Sequence, residues 1–263
     1  MTDTYDRPAR HLLGLSGGKD SSALAIYMRD RVPEMEYFFA DTGAELPETL
    51  EYIDLLEDYL GKPIVKLNAE RSFDYYLEYH NNFLPSARQR WCTVNLKLIP
   101  FEEFVGDDEV ISYIALRADE PARSGYISKK PNIQTRMPFR DDGIALEDVE
   151  EILESSGIGK PAYYKWRSRS GCYFCFFQQQ EEWAGLKEHH PALFEAAKAY
   201  ERADEKTGRL FTWNQAGKLD EVVAKAQDSR GRSRGLAASK KLINRFACTD
   251  ADDGESSCLI CMK

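Results

Sequence analysis

Short apolar runs and amphipathic runs alternate through the first third of the chain. Leu12-Leu13-Gly14-Leu15 is apolar throughout and too short for a helix, so it reads as a buried strand. A polar turn, Ser16-Gly17-Gly18-Lys19-Asp20-Ser21-Ser22, follows, and then a helix-like run from Ala23 to Arg31. Glu36–Asp41 reads as a second strand. Leu50, Ile53, Leu56 and Leu60 recur at helical spacing, with Pro47 near the start and Gly61 as a stop. Pro63–Asn68 reads as a third strand. Phe73 to His80 reads as an aromatic-rich helix, and Glu109–Leu116 as another strand. Leu146, Val149, Ile152 and Leu153 mark a helix, and Trp183, Leu186, Leu193, Phe194 and Ala197 mark helices around the His190-Pro191 break. Strand and helix in alternation predict an α/β fold. The expected form is a Rossmann-like parallel sheet with helices on both faces, followed by a mostly helical C-terminal appendage. Ligands of such sheets bind beyond the carboxyl ends of the strands.

The turn at Ser16 sits at such an end. Gly17 and Gly18 let the backbone approach an anion, Ser16, Ser21 and Ser22 offer hydroxyl donors, and unpaired N–H groups open the helix. Lys19 adds a positive charge. The spacing is not that of a Walker A loop, which requires Gly-x-x-x-x-Gly-Lys-Ser/Thr. It matches the Ser-Gly-Gly-x-Asp-Ser loop of the ATP pyrophosphatase superfamily, whose members cleave ATP between the α and β phosphates or bind an adenylylated sulfate. The expected organisation is a nucleotide-binding region at 1–165. A Cys-containing, mostly helical region at 166–263 follows, with a basic segment and a Cys-rich tail.

Composition narrows this picture. Of 263 residues, 43% are hydrophobic and 12% aromatic, enough for a proper core. No apolar run approaches the roughly 18 residues of a membrane span. Met1 to Arg10 is polar and lacks a signal-peptide core, so a cytoplasmic location is expected. There, six cysteines read as metal ligands or redox groups before disulfides. Residues 206–245 hold ten Lys/Arg against three Asp/Glu, a balance of +7 in a chain whose net charge is −9. This asymmetry fits a polyanion-facing patch, and equally a solvated basic helix face.

Other residues stand where chemistry is expected. Asp41 and Thr42 end the second strand, near an adenosine or as helix caps. Arg117 and Arg123 follow a strand end, suited to gripping phosphate or to pairing with Asp119 and Glu120. Cys92 lies among Arg88, Arg90 and Lys97, where a low thiol pKa is expected. Cys172-Tyr173-Phe174-Cys175 brings two sulfurs together inside an aromatic shell suited to a metal centre, or forms two buried core cysteines. Cys258-Leu259-Ile260-Cys261 is a second such pair, preceded by Cys248. His80, His189 and His190 read as surface, core or capping groups.

The Ser16 loop, Asp41-Thr42-Gly43, the Arg90…Cys92…Lys97…Pro100 run, Leu116-Arg117-Ala118-Asp119-Glu120 and Gly171-Cys172-x-x-Cys175 occur in order. Together they resemble the phosphoadenosine phosphosulfate (PAPS) reductase family over about residues 10–205, with an adenine nucleotide α-hydrolase fold. The resemblance implies nucleotide binding at Ser16, Gly17, Gly18, Lys19, Asp20, Ser21, Asp41, Thr42 and Arg123, with Lys19, Asp20 and Arg117 catalytic. Two departures matter. The Glu-Cys-Gly-Leu-His-type motif, whose Cys attacks sulfate in true sulfonucleotide reductases, is absent. Iron–sulfur members carry adjacent cysteines where Cys92-Thr93 stands. Cys92, Cys172 and Cys175 therefore make three ligands of a [4Fe–4S] cluster, with Cys261 or Cys258 as a fourth or one iron left open. A zinc site from Cys172, Cys175, Cys258 and Cys261 also satisfies ligand counting.

A complete ATP loop without the sulfate-attacking Cys resembles the sulfur-transfer proteins of DNA phosphorothioation, the Dnd and Ssp type. That resemblance implies ATP with Mg²⁺, an iron–sulfur cluster, a sulfur donor such as a cysteine desulfurase, and a nucleic acid acceptor, DNA first, held through residues 206–245. A homodimer or multi-subunit complex is compatible with it. The competing expectations are an assimilatory PAPS or adenylyl-sulfate reductase, a tRNA thiolation enzyme, and a non-catalytic subunit that senses ATP.

Overall fold

The computed structural model describes residues 8–123, 125, 127–203, 208 and 210–229. A five-stranded parallel sheet runs in the order β3-β2-β1-β4-β5. The strands are β1 (Arg10–Leu15), β2 (Glu36–Asp41), β3 (Ile64–Asn68), β4 (Val110–Tyr113) and β5 (Ile133–Arg136). The first three confirm the expected strands, and the fourth is shorter than the apolar run suggested. The chain steps outward from β1 to β3 and then returns to the other side of β1. The carboxyl ends of β1 and β4 therefore flank the point where strand order reverses, the usual ligand crevice of such sheets.

Alternation along the strands sorts the core. Leu13, Leu15, Tyr37 and Phe39 pack on one face against α1 (Lys19–Met28), α2 (Pro47–Leu60), α6 (Pro138–Asp141) and α7 (Leu146–Ser155). Leu12 and Leu67 pack on the other with Phe101 and Val105 of α5 (Ile99–Val105). α2 starts with Pro47 in its first turn, buries Tyr52, Ile53, Leu56 and Leu60, and stops at Gly61 in the left-handed conformation. Each fully buried Leu or Ile contributes about 2 kcal/mol by leaving water.

A second apolar body forms from α3 (Phe73–Tyr79), α8 (Gln180–His189), α9 (Pro191–Ala199) and residues 219–229, which are helical to the last described position. Its centre is aromatic: Phe73, Trp91, Tyr163, Phe174, Trp183, Phe194 and Trp213. Phe174 stacks on Trp213 at 5.1 Å between centroids. Between the two bodies lies a helical stretch of α4 (Trp91–Thr93), a π-helical turn Val94–Leu98, and α5. Pro100 carries no N–H, so the ladder cannot continue in α register, and Ile99 N–H reaches back to the Val94 carbonyl instead. Among the described residues no helix is long and apolar enough to cross a membrane.

Candidate active site

The glycine loop is shaped by contacts from distant parts of the chain. Gly17 has φ +66°, and a Cβ there would lie 2.5 Å from Thr49 Cγ2, so only glycine fits. A Cβ on Gly18 would meet Ser170 Oγ at 2.7 Å. Ser16 N–H donates to Ser21 Oγ at 3.1 Å, and Ser21 Oγ and Ser22 Oγ both donate to the Gly18 carbonyl, at 3.2 and 2.8 Å. Tyr163 OH donates to the Gly17 carbonyl at 2.5 Å, Lys19 N–H donates to Tyr164 OH at 3.1 Å, and Ser170 Oγ donates to Ser16 Oγ at 3.2 Å. Burial pushes both tyrosine hydroxyls up, so they stay neutral. Residues 163–170 thus hold the loop from outside the sheet. The sequence reading assigned them no role, and only tertiary packing brings them there.

Asp20, Lys19 and Arg117 meet at the ends of α1 and β4. Arg117 donates to Asp20 Oδ1 at 2.8 Å and to Asp119 Oδ1 at 2.8 Å, and Lys19 Nζ lies 3.6 Å from Asp20 Oδ2. Burial opposes the Arg117 charge, but the bonds to Asp119 and Asp20 outweigh it and hold the guanidinium above its ordinary range. The Asp119 carboxyl is in turn held below its ordinary range by that bond. Arg123 is exposed and bonds Glu120 at 2.5 Å, and the same Glu120 oxygen lies 3.6 Å from Arg117, so Arg123 meets the trio through that carboxylate.

Asp41 Oδ1 accepts from Gly43 N–H at 2.9 Å, turning the chain after β2. Thr42 Oγ1 donates to Glu45 Oε1 at 2.8 Å and lies 3.2 Å from Cys172 Sγ. Glu45 was not singled out in the sequence. Burial raises its carboxyl, partly offset by Lys97 and by bonds from Thr42 and Ala44.

Cys92, Cys172 and Cys175 all line one cavity of about 160 Å³, with Arg90, Lys97 and Arg169 at its wall. The widened π turn belongs to this wall through Leu96 and Lys97. The 172–175 loop is tight, Cys175 N–H bonding the Cys172 carbonyl at 3.1 Å, and Tyr173 N–H ties it to the Ala44 carbonyl at 2.8 Å. Arg167 braces it from beneath. The residue is 2% exposed, and its guanidinium donates to the Gly171 and Cys172 carbonyls at 3.0 and 2.9 Å. The low thiol pKa expected of Cys92 is corrected: burial raises it, and Lys97 offsets this only in part. Burial also pushes Cys172 up to about 11. The sequence showed nearby cations but not the loss of water that outweighs them.

Among the described residues no group of three His, Cys, Asp or Glu side chains is set closely enough for a single metal ion. A multi-iron group bonds each thiolate to a different iron, so the donor set of three thiols with adjacent cations fits it better. Cys261, Cys258 and Cys248 lie outside the described residues, as do Arg230, Arg232 and Arg234 and much of segment 206–245.

A five-stranded parallel sheet with a glycine loop at its strand-order reversal is a Rossmann-like α/β fold. Residues 10–141 match the phosphoadenosine phosphosulfate reductase domain, and the chain belongs to that family. The fold is shared with a phosphoadenylyl-sulfate (PAPS) reductase from Candida auris at TM-score 0.50 and 11% identity, covering 65% of this chain and 84% of that one. The uncharacterized proteins MJ0066 and MJ0973 of Methanocaldococcus jannaschii are 26% and 28% identical over 209 and 193 residues, 74% and 68% of this chain. The matches span only 42% and 44% of those two proteins. An uncharacterized 37.8 kDa protein of Escherichia phage 186 is 25% identical over 73% of this chain and 74% of its own length.

Proposed function

We propose that the protein is an ATP pyrophosphatase that adenylylates an acceptor and replaces the activated oxygen with sulfur, the acceptor being a nucleic acid backbone, DNA first. The observation that carries this reading is the junction of the two sites. Ser170 bonds the glycine loop and lines the cysteine cavity, and Thr42 lines that cavity with its hydroxyl against Cys172.

ATP enters with its Mg²⁺ as substrate. The loop N–H groups and hydroxyls hold the departing pyrophosphate, while Lys19 and Arg117, aligned by Asp20, balance charge at the α phosphorus. An acceptor phosphate oxygen attacks that phosphorus, the bond to the β-phosphate oxygen breaks, and pyrophosphate leaves. Sulfur then attacks the acceptor phosphorus, and AMP departs with the oxygen. Sulfur at the sulfide level needs no reductant. Persulfide sulfur leaves two cysteines as a disulfide, which a thiol reductant must reopen. An iron–sulfur cluster held by Cys92, Cys172 and Cys175 would supply sulfide-level sulfur when bound. The acidic chain with its +7 segment at 206–245 supports a polyanionic acceptor.

Purified protein given ATP should release pyrophosphate and AMP, water taking the acceptor's place at the α phosphorus, and Ser16→Ala or Asp20→Ala should abolish this. ADP with orthophosphate as the only products sinks the proposal. The family match favours a second reading, reduction of a sulfonucleotide, and sulfite formed from PAPS would establish it. Iodine cleavage of DNA from cells carrying the gene reports phosphorothioate, and thiolated tRNA there would change the acceptor.

A further inference from the structure

Beside the cysteine cavity runs a second, wider groove of about 470 Å³, and the two share Pro85, Phe176, Phe177 and Trp213 as a common wall. Its walls are flat rings: Phe177 packs on Phe176 at 4.4 Å, and Phe83 meets Phe211 edge-on at 4.9 Å. Phe83 and Phe177 are more than a third exposed, so their rings reach water. Guanidinium groups flank two of these rings. Arg90 and Arg169 lie 5.4 and 5.0 Å from the Phe177 centroid, and Arg202 lies 5.5 Å from that of Phe211. Primary amides and hydroxyls complete the lining, with Gln89 and Gln215 exposed among them.

From this combination we infer that the groove holds an unpaired nucleobase of the acceptor strand and so delivers the adjoining backbone to the cysteine cavity. Rings give a stacking surface that every base satisfies, amides match the donor and acceptor edges of a base, and arginines pair with the flanking phosphates. An apolar peptide would use the rings but would leave the guanidinium groups and amides without matching chemistry. A duplex cannot offer a base face, so the acceptor is a single strand or a strand with one nucleotide turned out of its stack. The inference rests on the reading of the acceptor as nucleic acid and specifies its form.

The test is fluorescence anisotropy with the full chain, a labelled twelve-nucleotide single strand of mixed sequence, and the same sequence as a duplex. The single strand should bind at least about tenfold more tightly, and Phe83→Ala should weaken it by about tenfold or more, the range for losing one stacked base. Gln89→Ala, an exposed and non-stacking change, should weaken it less and alter base preference. Pyrophosphate release measured without nucleic acid should be unchanged in both variants. Equal or tighter binding of the duplex overturns the groove assignment, as does single-strand binding indifferent to both substitutions, while either leaves a nucleic acid acceptor standing. No binding of either form, with an apolar peptide bound instead, overturns the groove assignment and the acceptor reading together.

Discussion

The glycine loop and the cysteine cavity touch through Ser170, yet their polar groups are handled in opposite ways. In the loop, hydroxyls and amides bond to one another and to Tyr163 and Tyr164, so its shape is set by the protein alone. In the cavity, burial holds the Cys92 and Cys172 thiols in their protonated form although Arg90, Lys97 and Arg169 stand at the same wall. A thiolate there needs a stronger positive charge than those side chains deliver, which is what a metal centre provides. The loop takes its shape from bonds within the chain, and the cavity keeps its thiols protonated against the cations at its wall. The two sites should therefore fail separately.

The largest separation is expected from Gly17→Ala. The new methyl group meets Thr49 and the residue must hold φ +66°, so the loop shifts. Pyrophosphate release should fall by about 100-fold, the usual cost of misplacing a reacting group by about an ångström, while iron and acid-labile sulfide stay unchanged. Cys175→Ser is the mirror experiment. Anaerobically purified variant should lose its brown colour and iron but keep pyrophosphate release within about twofold, because the Cys175 backbone bonds to Cys172 and Gln178 and not to the glycine loop. Stoichiometric zinc in the parent protein would refute the cluster.

Arg117→Met sharpens the loop side. It leaves Asp20 and Asp119 without their shared cation and should destabilise the fold by about 2 kcal/mol in urea titration, with ATP cleavage reduced. Glu45→Gln probes the joint between the sites by pH. The folded carboxyl is raised above its ordinary 4.5, so the folded state keeps its proton to higher pH than the unfolded chain. Stability from this group falls as pH rises through that window, and the glutamine variant should show a flatter profile. Arg123→Ala should change stability by less than about 0.5 kcal/mol, since its only side-chain ion pair among the described residues is exposed on the arginine side. A large loss of ATP cleavage from it would instead place Arg123 on the nucleotide.

What the sequence disclosed follows the same division. The loop, its strand and its helix were legible because their chemistry is contiguous, from Leu12 to Ser22. β5 was not read: Ile-Gln-Thr-Arg is four residues long with one buried position, and the sheet holds it by backbone pairing with β4. The π turn was missed because Pro100 breaks helical register without ending the helix. Arg167 and Glu45 look like any surface charges in sequence, and only folding buries the first and half-buries the second beside the Cys172 loop. The lowered thiol of Cys92 was misjudged for the same reason, since neighbours in sequence report charge and not access of water.

The bonds that brace the glycine loop span most of the described chain: Tyr163 to Gly17 over 146 positions, Tyr164 to Lys19 over 145, and Ser170 to Ser16 over 154. Closing loops of that length is entropically costly and slow relative to local helix formation. The glycine loop is therefore among the last parts of the molecule to take shape, although its own residues are contiguous in sequence. A half-folded chain carries the motif without its shape, which comes only once residues 163–170 have packed against it.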